Sequence, residues 1–122
     1  MGELTEEQRA ALRRHVADEQ ARAAERVAAL QRQWDDLVIA SAESVRDDEH
    51  DPEGSTIAYE RAQVGTLLDD ARAQQAALDR AAQRLPEPDA DRCDACGAPI
   101  GFERLLARPS VTTCVHCARA RL

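Results

Sequence analysis

Apolar residues recur at helical spacing in two long segments of this 122-residue chain. From Val27 onward the first segment steps by three, four and three residues, the spacing of a coiled-coil seam, with apolar positions at Val16, Ala23, Val27, Leu30, Trp34 and Leu37. Five positions of the second segment repeat every seven residues, namely Ile57, Val64, Ala71, Leu78 and Leu85. This periodicity predicts two long helices.

A proline and a glycine separate the two predicted helices. They indicate an acidic turn over about residues 49–54, between a helix over about residues 5–48 and a helix over about residues 55–85. The two helices and the turn make a predicted hairpin domain over residues 1–85. The fold class predicted for the whole chain is all-α, a long antiparallel coiled-coil hairpin plus a small C-terminal module.

Local signals mark the helix ends. Thr5 followed by Gln8 resembles a capping box, which opens a helix. Pro86 and Pro88 end the second helix. Inside that helix Gly65 is a predicted weak point, costing about 1 kcal/mol relative to alanine.

A reversal of the chain near residue 51 aligns the apolar positions of the two helices. It pairs Trp34 with Leu68 and Val38 with Val64, and this agreement favours an antiparallel hairpin. The alternative is a single long helix in a parallel dimer, and the oligomeric state stays open. The first turns of the first helix have no partner in the hairpin, so we expect them to pack on the C-terminal module.

Composition and charge narrow the function classes. Aromatic residues make up 2% of the chain, so a deep substrate pocket and an enzymatic role are not expected. The net charge of −7 disfavours direct DNA binding, which depends on neutralising phosphates. The sequence shows neither a signal peptide nor an apolar stretch long enough for a membrane span, so we expect a cytoplasmic protein.

All four cysteines lie in the predicted C-terminal module, residues 93–122, after a short stiff linker over residues 86–92. Two C-x2-C pairs separated by 17 residues have the spacing of a zinc site. Four thiolates leave no open position on the metal, so the single Zn²⁺ is predicted to be structural, with ligands Cys93, Cys96, Cys114 and Cys117. Disulfides, bound iron, or His116 as a substitute ligand are the alternatives.

The same stretch resembles the zinc finger of the DksA/TraR family. The residues that carry the resemblance are Cys93-Asp-Ala-Cys96-Gly97, Ile100, Arg104-Leu105, Ala107-Arg108-Pro109, Cys114 and Cys117. The resemblance implies a bacterial transcription regulator that binds RNA polymerase directly, with the hairpin in the secondary channel. Some family members act together with the alarmone ppGpp, and the sequence leaves that dependence open.

The resemblance also implies a site at the hairpin turn, where acidic residues would contact polymerase. The candidate tip residues are Asp47, Asp48, Glu49, Asp51 and Glu53. The best-known tip of the family reads Asp-x-x-Asp-x-Ala. When this pattern is aligned at Asp51, the chain has Gly54 in place of the second aspartate and Thr56 in place of the alanine. Five residues follow Cys117, so the family's C-terminal helix is expected to be nearly absent and contacts attributed to it are not carried over.

Two other functions compete with this one. The divergent turn favours a zinc-stabilised coiled-coil adaptor without action in the polymerase channel. Direct nucleic-acid binding by the module ranks last, because zinc and its thiolates leave little of the module's positive charge. Arg104 and Arg108 are instead candidate contacts to a protein partner or to the hairpin.

Overall fold

The computed structural model describes residues 3–47 and 52–120, and within them the regular structure is helical. The elements are α1 (Glu6–Asp47), α2 (Pro52–Arg84), α3 (Phe102–Ala107) and α4 (Val115–Ala120). The described residues also contain one isolated antiparallel bridge, between Arg92 and Pro99. None of the helices in these described parts is long and apolar enough to cross a membrane.

The chain divides into two compact units, and both contain parts of α1 and α2. One unit consists of Arg22–Gln75, and the other combines Met1–Ala21 with Ala76–Leu122. We call them the hairpin unit and the finger unit. The predicted all-α fold class, an antiparallel helical hairpin plus a four-cysteine module, is confirmed.

In the hairpin unit, α1 and α2 run antiparallel. Arg72 of α2 donates a hydrogen bond to Gln31 of α1, and Trp34, one turn further along α1, lies against Gly65, two turns earlier in α2. The core cluster of this unit is small and consists of Leu30, Leu68 and Ala71, with Val27, Trp34 and Val64 packed around it. The alternative of a single long helix is therefore wrong.

Two details of the hairpin unit differ from the sequence prediction. Val38 stays 40% exposed, because the seam follows Leu37 and the next residue lies about 100° further round the helix. Gly65 was predicted to be a weak point, but a Cβ built there would lie 3.0 Å from the ring carbon Cζ3 of Trp34. The glycine therefore makes room for the indole between the two helices.

The finger unit buries the start of α1 against the cysteine module. Its core cluster contains Leu12 and Val16 of α1, Leu85 after α2, and residues of the module, namely Cys93, Ile100, Leu105 and Cys114. Leu4, before α1, packs on the same cluster. The prediction that the first turns of α1 pack on the C-terminal module is confirmed. The capping box is confirmed too, since Thr5 and Gln8 exchange two hydrogen bonds of 3.0 Å.

The segment between α2 and the first cysteine is packed, although the sequence suggested a stiff linker. It forms consecutive turns in which Glu87, Ala90 and Arg92 donate to carbonyls three residues earlier. Ala90 and Asp91 are only 3% and 1% exposed. Helix α2 itself begins at Pro52, earlier than predicted, because proline is well suited to the first helical position.

Candidate metal centre

The first pair of cysteines lies on a tight turn, Cys93–Gly97, which we call the first knuckle. Its ends are joined by two hydrogen bonds, from Cys93 N to Ala98 O (2.8 Å) and from Gly97 N to Cys93 O (2.9 Å). Gly97 has φ 76°, a conformation that side chains disfavour. The sequence therefore places glycine where the turn requires it, and the turn brings the first two thiols together.

The second pair, Cys114–Cys117, forms the second knuckle at the start of α4. The N–H of Cys117 points to the sulfur of Cys114 (3.5 Å), and Ala118 N donates to Cys114 O (3.0 Å). Helix α4 begins at Val115, directly after Cys114, so Cys117 lies in its first turn. Helix α3, whose N-cap Gly101 has φ 99°, was not predicted.

The four thiols converge on one point. The Sγ atoms of Cys93, Cys96, Cys114 and Cys117 all lie within 4.8 Å of one another, and the sulfurs of Cys96 and Cys114 are 3.8 Å apart. A tetrahedral zinc with Zn–S bonds of about 2.3 Å requires sulfur separations of about 3.8 Å. The donor set and its spacing therefore fit one zinc ion with no open coordination position.

The burial of the cysteines and their free thiols suit a structural metal site. Cys93 and Cys114 are buried, Cys117 is half-buried and Cys96 is exposed, and all four are free thiols. The exposed His116 is not part of the cluster of thiols, so it is not a substitute ligand in this structure.

Backbone donors prepare two of the thiols as thiolates. A hydrogen bond from the backbone of Cys114 lowers the pKa of Cys93 to about 6, against the opposing effect of burial. The backbone N–H of Cys117 likewise lowers the pKa of Cys114. Hydrogen bonds with the neighbouring thiols, that with Cys96 first, raise the pKa of Cys117 to about 12. Four sulfurs this close thus favour partial protonation, and coordination to a divalent cation removes the remaining protons.

Comparison with known families agrees with this geometry. Residues 88–121 match the model of the prokaryotic dksA/traR C4-type zinc finger. The module is a dksA/traR-type zinc finger. The resemblance read from the cysteines and their neighbours is therefore confirmed, and the metal is a single structural Zn²⁺.

The fold outside this zinc finger also has a known counterpart. The chain superimposes on the structure of transcription factor DksA2 from Pseudomonas aeruginosa with a TM-score of 0.79 and 22% sequence identity. The match covers 95% of this chain and 84% of that chain, so the two proteins share a fold along nearly their whole length. Comparison with curated protein sequences found no match.

Some of the other predicted site residues lie in the described part of the chain, and some lie outside it. Asp48, Glu49 and Asp51 lie outside the described residues, while Asp47 ends α1 and Glu53 lies in the first turn of α2. Arg108 is exposed at the end of α3. Arg104 is half-buried and donates to the carbonyl of Thr113 (3.0 Å), next to the second knuckle.

Sequence reasoning missed the polar residues that hold the zinc finger in place. Asp91 accepts a hydrogen bond from the backbone of Leu4 (3.3 Å) and pairs with Arg9 (3.8 Å). Arg84, the last residue of α2, donates to the carbonyl of Val111 (3.1 Å). These contacts join residues far apart in sequence, and no local motif marks them.

Proposed function

We propose that this chain is a bacterial transcription regulator of DksA/TraR type, which binds RNA polymerase directly through its secondary channel with an acidic coiled-coil tip. The observation that carries the proposal is the combination of two likenesses. A dksA/traR zinc finger spans residues 88–121, and the fold of 95% of the chain matches a protein described as a transcription factor.

The charge of the hairpin turn supports this mode of binding. Residues 43–53 contain six acidic residues against one arginine, Arg46. A concentrated negative charge steers association toward a basic surface. Its carboxylates are also attracted to a bound magnesium ion, for which they are suitable ligands. The chain as a whole carries a net charge of −7, which opposes direct binding to DNA. The proposed partner is therefore a protein in the cytoplasm, with neither DNA nor a membrane as a direct ligand.

The experiment is a polymerase pull-down followed by in vitro transcription with the cognate enzyme, with and without ppGpp. The test variant reverses the charge of Asp47, Asp48 and Asp51 to arginine. The matched control reverses the exposed acids Asp36 and Asp70, together with Glu60, in the body of the hairpin. We expect the tip variant to lose its effect on transcription while the control keeps it.

Absence of polymerase binding at micromolar protein would contradict the proposal. So would equal activity of the tip variant and the control, because the action would then not depend on the acidic turn. Both proteins must keep one equivalent of zinc and the same helical circular dichroism, which excludes misfolding as the cause.

The second candidate function is a zinc-stabilised coiled-coil adaptor without action in the polymerase channel. It is favoured by apolar side chains exposed on the helices of the hairpin unit. Tyr59 is 65% exposed and Ile39 is 59% exposed, and Val38 and Leu67 are also exposed. Large apolar side chains exposed on both helices are available for contact with a protein partner.

Two variants distinguish these functions: the charge reversal at the tip, and a second variant that replaces exposed apolar residues of the hairpin unit. An adaptor loses its partner when Ile39 and Tyr59 are replaced by glutamate, and keeps it when the tip charges are reversed. A channel regulator behaves in the opposite way, because its contacts are at the turn.

A further inference from the structure

The segment that leads into the second knuckle, Val111–Thr113, has no regular secondary structure. Each of its three carbonyl oxygens nevertheless accepts a hydrogen bond. Val111 O accepts from the guanidinium of Arg84 (3.1 Å), and Thr113 O accepts from Nε of Arg104 (3.0 Å). Between them, Thr112 O accepts from the backbone N–H of Asp94 (2.9 Å). Three successive carbonyls are thus fixed by three different parts of the finger unit.

The two knuckles differ in what determines their position. Internal hydrogen bonds close the first knuckle on itself, and a positive-φ glycine completes the turn. The second knuckle is ordered internally by the first turn of α4. Its distance from the first knuckle, however, depends on the segment Val111–Thr113. The bond from Asp94 N to Thr112 O joins this segment to the first knuckle, and the two arginines hold the carbonyls on either side of it.

Arginine suits this task. Its guanidinium carries several donors in a rigid plane and stays charged, and charged donors make stronger hydrogen bonds than neutral ones. Arg84 and Arg104 are both half-buried, so water competes less with these contacts than on an open surface. Arg84 ends α2, and Arg104 lies in α3, so two helices reach the same short segment.

We propose that Arg84 and Arg104 are positioning residues for the zinc site. They hold the carbonyls of Val111 and Thr113 so that Cys114 and Cys117 stand at the spacing a tetrahedral ion requires. They thereby increase the affinity for zinc and slow its release. This role is independent of the partner that the hairpin binds.

The test compares Arg84→Gln and Arg104→Gln in the full-length, zinc-loaded protein. The measurements are the zinc dissociation constant from competition with a chromogenic chelator, and the release rate after addition of excess chelator. Residues that orient metal ligands typically change affinity about 10- to 100-fold when replaced. We expect each variant to bind zinc at least about 10-fold more weakly and to release it correspondingly faster.

Each variant has a matched control on its own helix or at its end. Arg80→Gln removes an exposed arginine one turn before Arg84, and Arg108→Gln removes the exposed arginine after α3. Both controls should stay within about twofold of the parent protein. Arg84→Lys and Arg104→Lys keep the charge but not the planar set of donors, so their affinities should fall between parent and glutamine variant.

A further control separates positioning from general stability. Leu78 is 1% exposed in α2 and makes no polar contact to the zinc finger, so Leu78→Ala lowers stability through lost packing. At a temperature where all proteins keep full helical circular dichroism, Leu78→Ala should release zinc at the parent rate. The visible spectrum of the cobalt-substituted protein should change in the two glutamine variants and not in Leu78→Ala.

Two results would overturn the proposal. One is zinc release from Arg84→Gln and Arg104→Gln within twofold of the Arg80 and Arg108 controls. The other is release from Leu78→Ala as fast as from the glutamine variants, because that would make the effect one of global stability.

Discussion

The ion pair between Arg9 and Asp91 offers a demanding test of how the finger unit is held together. The side chain of Asp91 is 1% exposed and that of Arg9 is 17% exposed, with 3.8 Å between Nη2 and Oδ1. Within the described structure, Oδ1 has no hydrogen-bond partner, and Oδ2 accepts from Leu4 N at 3.3 Å. Arg9→Ala would leave a buried carboxylate with a single backbone donor.

The expected cost is unequal for the two partners. Removing one partner of a buried pair costs about 3–5 kcal/mol, and we expect Arg9→Ala to cost about 3 kcal/mol because Arg9 is itself partly exposed. Asp91→Ala should cost less, about 1–2 kcal/mol, because Arg9 keeps solvent access. Arg9 also remains within reach of the carbonyls of Glu87 (3.5 Å) and Pro88 (3.3 Å). The double variant should cost at least about 1 kcal/mol less than the sum of the two, since the residues interact directly.

The assay is urea unfolding of zinc-loaded protein, followed by circular dichroism at 222 nm. Arg14→Ala, which removes an exposed arginine from the same helix, is the control and should stay within about 0.5 kcal/mol of the parent. Equal costs for Arg9→Ala and Asp91→Ala, or strict additivity in the double variant, would refute the reasoning. Either result would mean that the carboxylate of Asp91 does not depend on Arg9 for its charge compensation.

Four further outcomes follow from the packing. Leu12→Ala should lower the free energy of unfolding by about 2–5 kcal/mol in urea melts, because Leu12 is 1% exposed in the finger core. Thr5→Ala removes half of the capping box and should cost about 1 kcal/mol in the same assay. Gly65→Ala should add the expected helix stability of about 1 kcal/mol only in a Trp34→Leu background, and equal gains in both backgrounds would contradict the proposed close fit. Zinc removal by a chelator should abolish amide-exchange protection around Cys93 and Cys114, while the helices around Leu30 and Leu68 keep theirs, since the hairpin unit has its own core.

Local patterns in the sequence predicted the parts of this molecule that depend on near neighbours. The 3.6-residue period places Leu30, Leu68 and Leu78 on buried helix faces, and each of them is buried in the structure. A capping box spans four residues, so Thr5 and Gln8 were sufficient to locate the start of α1. Both signals are short in range, which is why they could be recognised without a structure.

The hairpin turn shows where such prediction stops. Its acidic composition can be counted in the sequence, but the family's tip pattern is altered at Gly54 and Thr56. A role for individual carboxylates depends on where they stand against a partner surface. Neither periodicity nor composition contains that information, so the tip remains a proposal that the charge-reversal variants test.

By itself the sequence determined the two long helices and the four zinc ligands, because helical period and C-x2-C spacing are properties of residues that lie near one another in the chain. Only the tertiary structure shows the role of Gly65, whose missing Cβ leaves space for Trp34 of the other helix. It also revealed the contact of Asp91 with a backbone N–H 87 residues away and that of Arg84 with a carbonyl 27 residues away. The sequence around a polar residue in a linker or at a helix end does not distinguish a side chain that faces water from one that contacts the zinc finger. Its burial depends on which distant residues pack against it.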